Sequence, residues 1–280
     1  MSNQIRAFVF CVVAFLPIRW GLACPLVERL PDFNCDATQS IVVVGDSLVA
    51  GIGDTKNGNS GGYVLRTQAR FPGATVTSHG VPGLRTLTLI KTLRRVFANP
   101  TDSPLAQKLL AADLVVLDLG RNDRWGFGLP SATLRNLKRV RTMIEAGVKQ
   151  HGHTPPLVVT AVMMYPNRGS QGPWVKELDN LILESSTTEA PADLRFDLVS
   201  KRLLSPDNIH PSSKGYAALT EVFVDWLLNE YRQYAQALRP DQDNDGLYDV
   251  FERSKFGTDP SNADTDSDGI NDGSDPAPVG

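Results

Sequence analysis

Histidine, cysteine and long apolar runs are all scarce in this chain of 280 residues. It holds four histidines and three cysteines. The longest apolar run, from Ala7 to Leu16, is too short to span a bilayer, which excludes a membrane anchor of that kind. Clustered lysine or arginine is also missing. Binding a nucleic-acid backbone needs such clusters, so no nucleic-acid partner is expected. The glycine-rich stretch from Gly51 to Gly62 lacks the Gly-Lys-Ser/Thr ending of a phosphate loop. It reads as a mobile loop on the substrate side of a site, not as a nucleotide cradle. The formal net charge of −3 conceals an asymmetry. Residues 241–280 carry eleven acidic and two basic side chains, so the rest of the chain is mildly basic.

The first 23 residues have the layout of a secretory leader: Arg6, the apolar run, then Gly21-Leu22-Ala23 at the cleavage positions. Cleavage after Ala23 removes Cys11 and leaves Cys24 and Cys35. An even pair in an oxidising compartment predicts one disulfide closing the arm 24–40. Lipidation of Cys24 is the competing reading, and Gly21 stands where such a signal has leucine. The expected location is therefore secreted, or periplasmic and cell-envelope.

Five short apolar runs, at 41–45, 74–78, 114–119, 157–162 and 194–198, are continuous rather than alternating, as in strands buried on both faces. Helical patterns separate them, near 62–71, 86–97, 131–149 and 174–186. A last pattern at 212–235 places Leu219, Val222, Phe223, Trp226 and Leu227 on one face. Alternating strand and helix predicts an α/β domain over 41–236, with a five-stranded parallel sheet covered on both sides. Ligands bind such sheets at the carboxyl ends of the strands.

Three blocks fall near those ends. Gly45-Asp46-Ser47-Leu48 follows Ile41-Val42-Val43-Val44. Gly120-Arg121-Asn122-Asp123 follows the run at 114–119. Asp207-Asn208-Ile209-His210 precedes the last helical pattern. A serine hydroxyl is a weak nucleophile without an adjacent base, and the base needs an orienting group. Ser47, His210 and Asp207 can fill those roles. Singly, each also reads as a capping, surface or turn residue. In this order the blocks resemble the SGNH/GDSL hydrolase superfamily, over roughly residues 40–236. The resemblance implies a three-layer α/β/α flavodoxin-like fold and a serine nucleophile, Ser47, with His210 as base and Asp207 as its orienter. It also implies an oxyanion hole built from the Ser47 N–H, a glycine N–H and the Asn122 amide. The glycine comes from a block that here reads Ser78-His79-Gly80-Val81-Pro82-Gly83, without the family's usual asparagine. Gly83 aligns with the oxyanion glycine, and Gly80 suits a tight turn. His79 adjoins this block, while His151 and His153 flank Gly152 in a polar loop and could at most pair on a metal. Trp125 and Phe127 either wall an acyl pocket or pack a long loop onto the sheet.

The acidic tail repeats itself every 23 residues. Asp241, Asp243, Asp245, Gly246, Leu247, Asp249 and Glu252 match Asp264, Asp266, Asp268, Gly269, Ile270, Asp272 and Asp275. The first set fits the twelve-residue calcium-loop pattern: carboxylates at positions 1, 3 and 5, a glycine for the bend, a carbonyl at Leu247 and a closing Glu252. The second ends in the shorter Asp275. With Gly257-Thr258-Asp259-Pro260 between them, the repeats resemble bacterial thrombospondin type 3 repeats. They predict a small irregular module at 241–280 holding structural Ca²⁺, against the alternative of a disordered acidic tail.

The expected protein is an exported carboxylic ester hydrolase: an esterase, lysophospholipase, thioesterase or carbohydrate deacetylase. Its partner is an ester substrate, whether a small molecule, a lipid or an acetylated glycan. No cofactor is expected for catalysis, and a cell-surface contact is possible for the repeats. The rival is a calcium-dependent binding or adhesion module on the same scaffold, against which Ser47, Asn122, Asp207 and His210 are all intact.

Overall fold

A computed structural model describes residues 24, 26–126, 128–162, 171–186, 191–195, 198 and 202–280. Residues 1–23, expected to be a leader, Phe127 and part of the fifth expected strand (196–197) lie outside the described residues. The chain opens with a short antiparallel hairpin, β1 (Leu26–Val27) and β2 (Leu30–Pro31). The main sheet follows: β3 (Ser40–Gly45), β4 (Thr75–Gly80), β5 (Leu114–Asp118), β6 (Leu157–Val162) and β7 (Ala192–Asp193). Its order is β4-β3-β5-β6-β7, and every pairing is parallel.

Both faces of this sheet are covered, which explains the unbroken apolar runs. Ile41 and Val43 of β3 point into one core, shared with α1 (Gly62–Arg70) and α6 (Ser213–Trp226). Val42 and Val44 point into the other. That core is shared with α2 (Thr86–Ala98), α3 (Pro104–Leu110), α4 (Pro130–Gln150) and α5 (Gln171–Ser185). The result is a three-layer α/β/α fold. After Trp226 the helix widens through a π-turn at Leu227–Tyr231 and continues as α7 (Arg232–Leu238).

The fifth strand differs from its expected place. Among the described residues of this segment, Ala192 and Asp193 pair with β6, and Leu194 adds one bond to Val162 O at 3.0 Å. Leu194 and Leu198 are buried all the same, so their apolar character reports burial and not sheet pairing. The glycine-rich stretch is packed at its start, residues 51–54, while 55–60 are largely exposed. A Cβ on Gly53 (φ +95°) would meet Pro211 O at 2.5 Å and the His210 Cβ at 3.0 Å. Beside it, the buried Asp54 is held by Arg66. Only glycine allows the turn to lie this close to the histidine loop.

The arm and the tail form one further cluster. Cys24 and Cys35 are bonded, and they share one buried cluster with Leu247, Tyr248 and Phe251. Cys24 N donates to Gly246 O at 2.8 Å, and Lys255 Nζ to Cys35 O at 2.6 Å. The Arg239 guanidinium lies over the rings of Phe33 and Phe251.

Candidate active site

Ser47 lies two residues beyond the end of β3, on a turn closed by Ala50 N to Asp46 O at 3.0 Å. Its Oγ is 2.8 Å from His210 Nε2. His210 Nδ1 is 2.6 Å from Asp207 Oδ2. With Nδ1–H donating a hydrogen bond to the carboxylate, Nε2 is free to accept the serine proton. One pinched loop presents both residues: Ser205 N donates to His210 O at 2.8 Å, and Ser212 N to Leu203 O at 2.7 Å. Ser212, not His210, caps α6, accepting from Gly215 N at 3.2 Å. Asp207 Oδ1 accepts from Ser205 Oγ and from the N–H groups of Ile209 and His210. Partial burial tends to raise its carboxyl. The bonds from Ser205, the His210 ring and the two N–H groups outweigh this and hold it well below the ordinary carboxylate value.

The two glycines of the second block occupy different environments. Gly80, the last residue of β4, is jammed: a Cβ there would lie 2.2 Å from Ala50 N. Gly83 is open, with φ +74° and nothing within 4 Å of where its Cβ would be. Among the described residues, neither the Ser47 N–H nor the Gly83 N–H donates a hydrogen bond within the protein. Asn122 sits on the turn after β5. Its Nδ2 lies 3.1 Å from Asp46 Oδ2 and 3.2 Å from Leu84 O. Its neighbour Asp123 is a brace that the motif reading left without a role. Its buried carboxylate accepts from Thr86 N, Thr86 Oγ1 and Thr133 Oγ1, tying this turn to α2 and α4. Trp125 is 60% exposed, which rules out packing onto the sheet, and Arg124 lies over its ring. Of the remaining histidines, burial pushes His79 below its ordinary value, with Lys108 adding to the effect. His151 bonds Phe97 O and stacks on the Phe97 ring.

A family model described as GDSL-like lipase/acylhydrolase matches residues 43–218. The chain belongs to that family. Membership makes this GDSL-like protein a hydrolase of ester substrates. Solved structures share its fold. A lipolytic protein of the G-D-S-L family from Veillonella parvula DSM 2008 superposes with a TM-score of 0.53 at 14% identity, covering 67% of this chain and 97% of its own. The psychrotrophic esterase EstA from Pseudoalteromonas sp. gives 0.50 at 18% identity, covering 70% and 99%. Among curated proteins there is no match. No helix of the described residues is long and apolar enough to cross a membrane.

The tail of this GDSL-like hydrolase forms two turns of the same shape. Asn244 and Ser267 have φ of 60° and 63°, and Gly246 and Gly269 have 98° and 94°. Gly246 N donates to Asp241 Oδ2, and Gly269 N to Asp264 Oδ2. The carboxylates at the first, third and fifth positions converge in each: Asp241, Asp243 and Asp245, then Asp264, Asp266 and Asp268. A third group crosses the repeats, bringing Asp245 and Glu252 together with Asp272. Asp249 joins no group; its Oδ1 accepts from Gln242 N, as Asp272 Oδ1 accepts from Thr265 N. Asp275 also stands outside the groups and bonds Ala277 N. Leu247 turns its side chain into the arm cluster, while that of Ile270 is exposed.

Whether a cation suits these residues can be judged from their oxygens. Asp241 Oδ1, Asp243 Oδ2, Glu252 Oε2 and Asp275 Oδ2 are buried without a hydrogen-bond partner. Burial and then neighbouring carboxylates push Asp245 up to about 6 and Glu252 to about 7. An all-oxygen set with orphaned lone pairs fits a hard divalent cation.

Proposed function

We propose that this chain is an exported serine esterase that works through an acyl-enzyme on Ser47, with a calcium-binding tail. The observation that carries the reading is the unbroken path Ser47 Oγ, His210 Nε2, His210 Nδ1, Asp207 Oδ2, at 2.8 and 2.6 Å. Ser47 attacks the ester carbonyl while His210 takes its proton and then returns it to the leaving alcohol. Asp207, held ionised by its donors, keeps the Nε2 lone pair aimed at Ser47 and stabilises the imidazolium.

The developing oxyanion meets the two unspent N–H groups of Ser47 and Gly83 and the Asn122 amide. A bound oxyanion takes over the amide hydrogen that now rests on Leu84 O, while the other stays on Asp46. Each such donor contributes roughly 3–4 kcal/mol in the transition state. Val81, Trp125 and Ile209 are exposed on the loops that carry these groups, so the rim suits an apolar acyl or aryl group. In the tail, Asp241, Asp243, Asp245, Glu252, Asp264, Asp266, Asp268 and Asp272 are the ligands that calcium would find. It would supply charge neutralisation and hold the turns, with no part in ester cleavage. Export rests on the leader and on the Cys24–Cys35 bridge.

The test is labelling and turnover. A fluorophosphonate should attach to Ser47 of the wild type, and Ser47→Ala should lower aryl-acetate turnover by at least about 10³-fold. Near-normal turnover in that variant removes Ser47 as nucleophile.

A further inference from the structure

Beneath Ser47 lies a set of charges that the serine, histidine and aspartate do not use. Asp46 is fully buried, and Asp118, at the end of β5, is nearly so. Arg121 lies against both. Its Nε faces Asp46 Oδ2 at 3.0 Å, an ion pair without hydrogen-bond alignment, and its Nη2 bonds Asp118 Oδ1. Tyr63, buried on α1, donates its O–H to Asp118 Oδ2 at 2.9 Å. One guanidinium therefore serves two buried carboxylates.

Among the described residues, the polar partners of the Asp46 carboxylate are two donors and a cation. Leu48 N–H bonds Oδ1 at 3.1 Å, and Asn122 Nδ2 bonds Oδ2 at 3.1 Å beside Arg121. That is the surrounding of an ionised carboxylate, which only accepts. On balance its surroundings push the carboxyl above its ordinary value, so its charge depends on the cation beside it. Burial pushes the carboxyl up, Arg121 pulls it down and Asp118 pushes it up again. A buried charge that loses its partner takes up a proton instead.

We propose that Arg121 is a positioning residue: it keeps Asp46 anionic, and Asp46 in turn fixes the Asn122 amide with its nitrogen toward the oxyanion and clamps the Ser47 turn. This inference rests on the Ser47 and Asn122 roles proposed above. An amide takes the orientation its neighbour dictates. An anionic Asp46 accepts Nδ2–H. A protonated Asp46 offers an O–H instead and draws the amide oxygen round, leaving an oxygen where the hole needs a donor. The second position of Gly120-Arg121-Asn122-Asp123 is then a counter-charge and not a spacer.

The titratable and charged groups around Asp46 are Asp118 on β5, Arg121 itself, His210 across Ser47, and the phenols of Tyr63 on α1 and Tyr216 on α6. Both phenols are pushed far above their ordinary value, chiefly by burial, and stay neutral throughout an assay range. Removing Arg121 exposes the titration of Asp46 and Asp118, and Asp118→Asn separates the two.

The experiment compares para-nitrophenyl acetate hydrolysis from pH 5 to 9 by wild type, Arg121→Gln, Arg121→Lys and the double variant Arg121→Gln/Asp118→Asn. Thermal melts accompany each, and the wild type is labelled with fluorophosphonate in parallel. Arg121→Gln should lose about 10² in kcat with KM nearly unchanged. Its kcat/KM should still be climbing where the wild type has levelled, the acid limb lying at least about one pH unit higher. Arg121→Lys, which keeps the charge, should recover at least about tenfold of the loss, with a limb near that of the wild type. Should Arg121→Gln fail to fold, the double variant carries the same reading, since it leaves Asp46 as the sole unpaired carboxylate of the set. A displaced limb supports the proposal. An undisplaced limb, or a lysine variant as impaired as the glutamine one, overturns it. An unlabelled, inactive wild type would instead disprove the Ser47 reading itself.

Discussion

The catalytic edge and the acidic tail both bury carboxylates, and they neutralise them by different means. At the edge the chain supplies the counter-charge: Arg121 for Asp46 and Asp118, Arg66 for Asp54, and three donors for Asp123. In the tail, Asp245, Glu252 and Asp272 are all buried, and among the described residues no lysine or arginine pairs with them. The nearby cations are directed elsewhere, Lys255 to Cys35 O and Arg253 to Asp249. Leu247 N and Gly273 N donate to Asp245, Thr265 N and Oγ1 to Asp272, and Thr258 Oγ1 to Glu252, but buried anions gathered without a cation are costly. The edge thus carries its own counter-charges, whereas those of the tail would come from the calcium proposed above.

The largest effect expected from that contrast is on the tail alone. Calcium at a hundred times its dissociation constant should slow proteolysis of residues 241–280 by about 100-fold, equivalent to about 2.7 kcal/mol. Without calcium the pH dependence has a definite sign. Asp245 and Glu252 have raised values in the folded tail, about 6 and about 7, so the folded form holds protons more tightly than the unfolded one. The protection this gives is complete below the ordinary carboxylate range and is lost as pH rises through 6 to 7. Limited proteolysis in chelator at pH 4.5 and pH 8 should therefore differ, with the tail cleaved faster at pH 8. Equal rates would mean that these carboxylates are not the tail's weak point.

A smaller effect should distinguish the two repeats. Asp245 belongs to two of the three carboxylate groups, while Asp264 belongs to one that is partly exposed. Asp245→Ala should lower calcium affinity by roughly 10–100-fold and Asp264→Ala by less than about tenfold, read by calorimetry on the full chain. A reversed order would mean that the repeats bind independently and that the group crossing them holds no ion.

The edge was legible in the sequence because its residues come in short blocks, two of them after apolar runs and one before the last helical pattern. Ser47 and Asn122 follow β3 and β5, whose ends lie at one edge of the parallel sheet, while Asp207 and His210 are brought beside Ser47 on a pinched loop before α6. Gly80 and Gly83 could not be ranked by type alone. A 2.2 Å approach at one and an open left-handed turn at the other separate them. The brace at Asp123 and the ion pair of Arg121 with Asp46 join residues 10 to 75 positions apart, which no local pattern shows. The tail's repeat was plain, but its loops were read one at a time. Glu252 and Asp272 meet across repeats, and Asp249 braces Gln242 N. Loop spacing predicts neither arrangement. Nor does composition reveal that Leu247 and Phe251 pack on the disulfide of the arm, because two apolar residues in an acidic segment look incidental until a partner surface exists.

The smallest expected effect is also the most direct check on the contrast. It is the kcat/KM of the full-length protein for para-nitrophenyl acetate, measured at one pH in excess chelator and again in saturating calcium. An edge that carries its own counter-charges predicts values within about twofold of each other. Hydrolysis abolished by chelation and restored by calcium would contradict the account, because the catalytic edge would then depend on the ion that only the tail is proposed to need.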